Sequence, residues 1–368
     1  MRRGMMDWQP EEVPAQLLQS RVQQVAQYCR EQGLAAVVLY SNFTRPVDVA
    51  LLTHFVPFWS QALLAVTAAG RTALVMSTTG RTVQWIRATS VVDHVAVGKQ
   101  VGDVLAPWLV QETAGAAPAC VGLVHPLDMP QPVLDQLTAG LAPAAPRDVS
   151  AWWRETSARW STPAPVAAQA RAIVAGAWAA VLDMSHDSGH SVVAAADGTC
   201  RSLGAEEVAV FLAPDLAVSD SVRRLEGDAP LGARVAVQVS VAYKGHWLRE
   251  TRSFAHQSGR LVALPGADAA HTAFLNARAA AATPADAACA VAQALGAQVQ
   301  GWVLECPARG IPLDVAAQSP ATPDTPAAGK AAAAALPSEG SLTLRLRTPS
   351  GPLLWGAALP PTSSIATV

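Results

Sequence analysis

"VAVQVSVAYKGHWLRETRSF", Val235 to Phe254, is the stretch whose reading decides the fold. Val235, Val237, Val239, Val241 and Tyr243 alternate with Ala236, Gln238, Ser240 and Ala242, the period-2 pattern of a strand with one apolar face. Lys244-Gly245 then reads as a two-residue hairpin turn, which fixes register as well as direction. With Tyr243 opposite His246, Gln238 faces Thr251, Ser240 faces Arg249 and Ala242 faces Trp247 on one surface. Gln238 and Arg249 are then diagonal neighbours. Small residues around one amide and one guanidinium fit a face that lines a cavity, and fit equally the solvated outer face of an edge hairpin.

Working outward, 368 residues are enough for two domains with sizeable cores, and 51% hydrophobic against 15% charged residues describes a globular chain. A net charge of -2 with no long run of Lys and Arg offers no footprint for nucleic acid or an anionic membrane, so neither is expected as a partner. The opening "MRRGMMDWQPEEVPAQ" has two arginines but no apolar segment behind them, and no stretch of eighteen apolar residues follows; a cytoplasmic location is expected. Cys29, Cys120, Cys200, Cys289 and Cys306 are scattered and never form C-x-x-C, the pattern of reduced core thiols rather than a zinc site. No cofactor is expected.

Helical spacing from Leu17 to Glu31, the run "LAAVVLY" and the pair "ALLAVTAAGRTALVMSTT" turning at Ala69-Gly70 predict an α/β layer, continued by "VGLVHP" and the helical "QPVLDQLTAGL". Pro-rich "APAAPRD" near 142–148 marks a domain boundary. This divides the chain into an N-terminal domain over 1–148, a helical connector over 149–165 carrying "SAWWRETSARW", and a second domain over 166–368. The second domain opens with one long Ala-rich helix ending near Gly189, followed later by helices over 268–281 and 284–295 and strands around Trp302, Leu342 and Leu353. "ATPDTPAAGKAAAAALPSEG" reads as a long surface loop.

"YSNFTRPVDVALLTHF", "WWRETSARWSTPAPVAAQARAIVAGAW" and "GARVAVQVSVAYKGHWLRETRSF" look like, in turn, the N-terminal strand-turn segment, the connector with the first catalytic-domain helix, and the hairpin of one known family. The chain resembles, on these segments, the pita-bread family that contains aminopeptidase P, prolidase and creatinase. The resemblance implies an α/β N-terminal domain joined to an α+β pita-bread C-terminal domain. In metal-dependent members the hairpin pattern is an aspartate, a Tyr-x-Gly turn, a second aspartate and Thr-Arg-Thr-Phe. Tyr243, Gly245, Thr251, Arg252 and Phe254 fit, whereas Gln238 and Arg249 fall at the two aspartate positions.

Further on, "ARGIPLDVAA" is similar to Gly-His-Gly-Ile-Gly-Leu-x-x-His-Glu, with Arg309 at the ligand histidine and Ala316-Ala317 at His-Glu. In "GSLTLRLR" the expected glutamate falls at Arg345 or Leu346, and in "GPLLWGAAL" the last one falls near Trp355. Carried over in this way, no metal ligand is retained, and a cation centre that needs several carboxylates is not expected. The position matching creatinase's histidine base holds Ser221.

Two functions follow. One is a pseudoenzyme, a binding or regulatory subunit for a peptide-like or carboxylate ligand or an active paralogue, with Gln238, Arg249, Arg309, Trp247 and Trp355 as ligand-binding residues and a homodimer or a heteromer as its assembly. The other is a metal-independent creatinase-like C–N hydrolase or lyase acting on a small anionic substrate, with Arg249 and Arg309 supplying positive charge. Against both stands a third role for the arginines, pairing with an acidic neighbour such as Glu250, Glu305 or Asp314. Ser, His and Asp in "MSHDSGHS" lack a nucleophile-elbow frame and read as helix-end residues.

Overall fold

The computed structural model describes residues 8–42, 44–57, 60–113, 120–306, 314–319, 335–337 and 339–359. They form two compact units, Met1–Pro163 and Ala164–Val368.

The first unit runs α1 (Ala15–Gln32), β1 (Ala36–Asn42), α2 (Val47–Thr53), β2 (Gln61–Thr67), β3 (Thr72–Met76), α3 (Val83–Thr89), β4 (His94–Val97), α4 (Val101–Glu112), β5 (Cys120–Val124), α5 (Gln131–Gly140), β6 (Ala145–Asp148) and α6 (Ser150–Ser157). Its sheet order is β4-β3-β2-β1-β5-β6. Val37 and Leu39 enter one core with α1, α2 and α3, while Ala36, Val38 and Tyr40 enter another with α4 and α5. Burial on both faces is why β1 shows no polar alternation.

The stretch read as a Pro-rich boundary contains β6, paired in parallel with β5 from Cys120↔Ala145 to Leu123↔Asp148. Its four residues are exposed, so an edge strand without an apolar face gave no periodic signal. The connector helix α6 belongs to this unit. Trp153 is fully buried and donates from Nε1 to Asp48 Oδ1 at 2.6 Å, and Arg21 donates from Nη1 to Leu51 O and from Nη2 to Ser161 O.

The second unit runs α7 (Ala164–Asp183), α8 (Gly189–Ser202), β7 (Glu207–Ala213), β8 (Arg234–Tyr243), β9 (His246–Gln257), β10 (Arg260–Ala263), α9 (Ala267–Ala279), α10 (Pro284–Ala294), β11 (Gln298–Cys306), β12 (Asp314–Gln318), β13 (Gly340–Thr348) and β14 (Gly351–Leu359). Strand order is β12-β11-β13-β14-β9-β8-β7, with β10 on β9. The helix expected to reach Gly189 stops at Asp183, and Gly189 opens α8 instead.

Each half of the sheet buries one face against its own helix pair, α7 and α8 over Val235, Val237, Val239 and Val241, α9 and α10 over Leu342, Leu344 and Leu346. By length and composition α7 would cross a bilayer, but Ile173, Val174, Ala177, Trp178 and Val181 sit in the first of these cores. Of the cysteines, Cys29 and Cys200 are buried, and burial pushes both thiols up to about 12. Cys289 is exposed on α10, against the expectation of a core thiol.

Candidate functional site

The β8–β9 hairpin has the register set by its turn, with Gln238↔Thr251, Ser240↔Arg249, Ala242↔Trp247 and Tyr243↔His246. Alternation sends the valines to the helices and Gln238, Ser240, Ala242, Trp247, Arg249 and Thr251 to the other face of the sheet. That face carries an amide, two hydroxyls, a guanidinium and an indole around one alanine. The Gln238 side chain is buried and donates from Nε2 to Thr251 Oγ1 at 3.0 Å, and Thr251 has no exposed surface.

The row continues across the sheet. Phe211 pairs with Gln238, Thr251 with Gly356, Gly356 with Thr343 and Thr343 with Val303. Thr343 Oγ1 is buried without a hydrogen-bond partner among the described residues. Gly356 lies at a close approach, since a Cβ there would lie 3.1 Å from Thr251 Oγ1 and from Leu342 O, tighter than an ordinary contact.

Arg249 is one row nearer the hairpin tip. Its Nε donates to Ser240 Oγ at 2.7 Å and its Nη1 to Glu305 Oε1 on β11, with both side chains of the ion pair about nine-tenths buried. Glu305 is opposite Ser341, whose hydroxyl donates to Arg249 O at 3.1 Å. Of the acidic neighbours considered from the sequence, the structure pairs Arg249 with Glu305. Glu250 faces the helices, where it accepts from Trp178 Nε1 at 2.8 Å and Arg252 Nη2 at 3.2 Å.

Trp247 packs on Ala242, and its buried Nε1 has no partner among the described residues. Trp355 lies elsewhere: it is buried in the α9–α10 core, edge-on to Phe274 with ring centroids 5.4 Å apart. Its neighbour Gly356 takes the place on the Gln238 face. Leu346 likewise enters the α9–α10 core, and Arg345, exposed and opposite Leu354, lies beyond Thr343. Sequence reasoning thus missed Thr343 and Gly356, and also Glu305, which it named only among several partners. Arg309 falls outside the described residues.

These donors do not fit a di-metal centre. An amide, the hydroxyls of Ser240, Thr251, Ser341 and Thr343 and a permanently charged guanidinium occupy the rows, and the Glu305 carboxylate is already bonded to that guanidinium. Among the described residues no three His, Cys, Asp or Glu side chains are gathered to hold an ion. His246 is on the opposite face from Arg249, with Nδ1 3.9 Å from Glu339 Oε2. Burial holds its pKa below the ordinary imidazole value, against the pull of Glu339.

No family model and no curated protein sequence matches the chain. Solved structures do. Prolidase from Pyrococcus horikoshii OT3 superposes with a TM-score of 0.60 at 12% identity, covering 92% of this chain and 94% of that one. The Xaa-Pro dipeptidase from Bacillus anthracis gives 0.61 at 12% identity and 95% of each chain. The X-Pro aminopeptidase from Thermotoga maritima MSB8 gives 0.59 at 12% identity, with 92% and 97% covered. The α/β first unit, the helix-backed second sheet and this near-complete coverage together give the chain the pita-bread architecture of prolidases and Xaa-Pro aminopeptidases.

Proposed function

We propose that this chain is a catalytically degenerate pita-bread protein, a metal-free cytoplasmic binding or regulatory subunit rather than a metallopeptidase. The observation that carries the reading is Arg249, placed where the resemblance expects a carboxylate ligand and committed instead to Ser240 and Glu305. The ligand is peptide-like or a small carboxylate, met by Gln238, Trp247 and the guanidinium N–H groups that Ser240 and Glu305 leave over, with Arg309 as a further contact. Trp355, sealed in the other core, drops out of this set. Assembly is as a homodimer or with an active pita-bread paralogue.

Elemental analysis after dialysis, Xaa-Pro dipeptide hydrolysis with added Mn²⁺, and calorimetry against dipeptides and acylated amino acids test the proposal together. The expected result is no stoichiometric metal, no hydrolysis, and binding that Trp247→Ala weakens. About one retained metal ion per chain, or metal-dependent turnover, overturns it. The metal-independent hydrolase or lyase lacks a supporting observation, because the Glu305 carboxylate beside Arg249 is engaged in the ion pair and His246 faces the other way.

A further inference from the structure

We propose that Arg249 and Glu305 form an ionic clamp that joins the two halves of the second unit's sheet, linking them as a cation held between the same strands would. The halves are β7–β10 with α7 and α8, and β11–β14 with α9 and α10, each with its own main core, and β14 lends Ala358 to the first of these and Leu354 to a small cluster with Ala213, Leu216 and Ala236. They meet where β14 runs beside β9. There the ladder has a single paired position, Gly356 with Thr251, whereas β8 and β9 on one side and β13 and β14 on the other pair along their lengths.

Side chains supply the rest of the joint. Ser253 Oγ donates to Leu354 O at 2.8 Å and accepts from Leu354 N at 2.9 Å, and Ser341 Oγ donates to Arg249 O at 3.1 Å. Arg249 comes from one half and Glu305 from the other, which makes their contact a fully charged bond across the seam. The side chain of Ser341, opposite Glu305, is short enough for the guanidinium to reach past it. Ser240 holds Nε at 2.7 Å, so the fork is aimed before Glu305 is met.

A guanidinium buried to this extent needs a counter-ion, and a carboxylate buried to the same extent needs a cation; each half of the sheet carries what the other lacks. The clamp accounts for how this sheet stays joined with a donor set that does not suit a metal. It holds whether or not the face also binds a ligand.

The test compares the full chain with Arg249→Met, Glu305→Gln, the apolar double variant Arg249→Met/Glu305→Leu and the exchanged pair Arg249→Glu/Glu305→Arg. Each single variant is expected to lower the thermal midpoint of the second unit by about 10 °C, since one buried charge is left unpaired. Amide exchange at Thr251 and Gly356 should rise with it while the β7–β8 ladder stays protected. The apolar double or the exchanged pair should recover more than half of the lost midpoint, which a residue acting alone would not allow. Single variants within about 2 °C of wild type, or a double loss equal to the sum of the singles, overturn the clamp. If Arg249→Met does not accumulate, Glu305→Gln, which keeps the shape and removes only the charge, carries the same test.

Discussion

At the scale of one residue, His246 shows how burial decides chemistry on this hairpin. It is 9% exposed at the start of β9, where Glu339 favours the imidazolium and Arg171 opposes it. Burial is the largest of the three influences, and the pKa falls below 6.5. The unfolded chain therefore takes up this proton at higher pH than the folded one. The contribution to stability is complete above the unfolded value, about pH 6.5, and is lost as pH falls below it. The thermal midpoint is expected to drop between pH 7 and pH 5 more steeply in wild type than in His246→Gln. Equal slopes in the two proteins would remove His246 as the cause.

At the scale of the element, Gly245 in the hairpin turn and Gly356 on the neighbouring β14 do different work. Lys244 and Gly245 both have positive φ, 46° and 78°, as a type I′ turn requires, and a Cβ on Gly245 would meet nothing within 4 Å. Gly245→Ala therefore costs backbone strain alone, about 1 kcal/mol by denaturant unfolding. Gly356→Val forces Thr251 and the Leu342 carbonyl apart at the joint of the two half-sheets, and the expected loss is larger, about 3 kcal/mol. A Gly356→Val cost no greater than that of Gly245→Ala would show the contact to be slack.

The same element explains what the sequence could disclose. A two-residue turn leaves one register, so every facing pair in β8 and β9 follows from counting. No turn of that kind ties β14 to β9, and a one-residue uncertainty there exchanges Trp355 for Gly356 and one face for the other. Glu305 was legible only as one acidic residue among several, because its pairing crosses between strands far apart in the chain. Helix α8 was hidden because Gly189 reads as a helix end, and β6 because all four of its residues are exposed.

At the scale of the whole chain, the two units carry separate cores, and the boundary between them follows burial rather than proline content. Ala142-Pro143-Ala144 and Pro146 suggest a linker, yet the chain continues into β6 and then into α6, whose Trp153 is enclosed with Val49, Leu52 and Phe55. Trp160 adds a second anchor, edge-on to Trp153 with centroids 5.4 Å apart and bonded from Nε1 to Gln24 Oε1 at 3.0 Å. A fragment ending at Pro163 keeps these contacts, whereas one ending at Asp148 opens a tryptophan-sized void in the core, takes the Trp153 indole from Asp48 and takes Ser161 O from Arg21, which keeps its bond to Leu51 O. Deleting a buried tryptophan costs about 3–5 kcal/mol, a large share of a domain's net stability. The fragment 1–163 is accordingly expected to unfold cooperatively on heating, and 1–148 to lose that transition or show it far lower. Calorimetry of the two fragments decides the matter. If 1–148 melts as sharply and as high as 1–163, the aromatic contacts are dispensable and the domain boundary belongs where the prolines suggest.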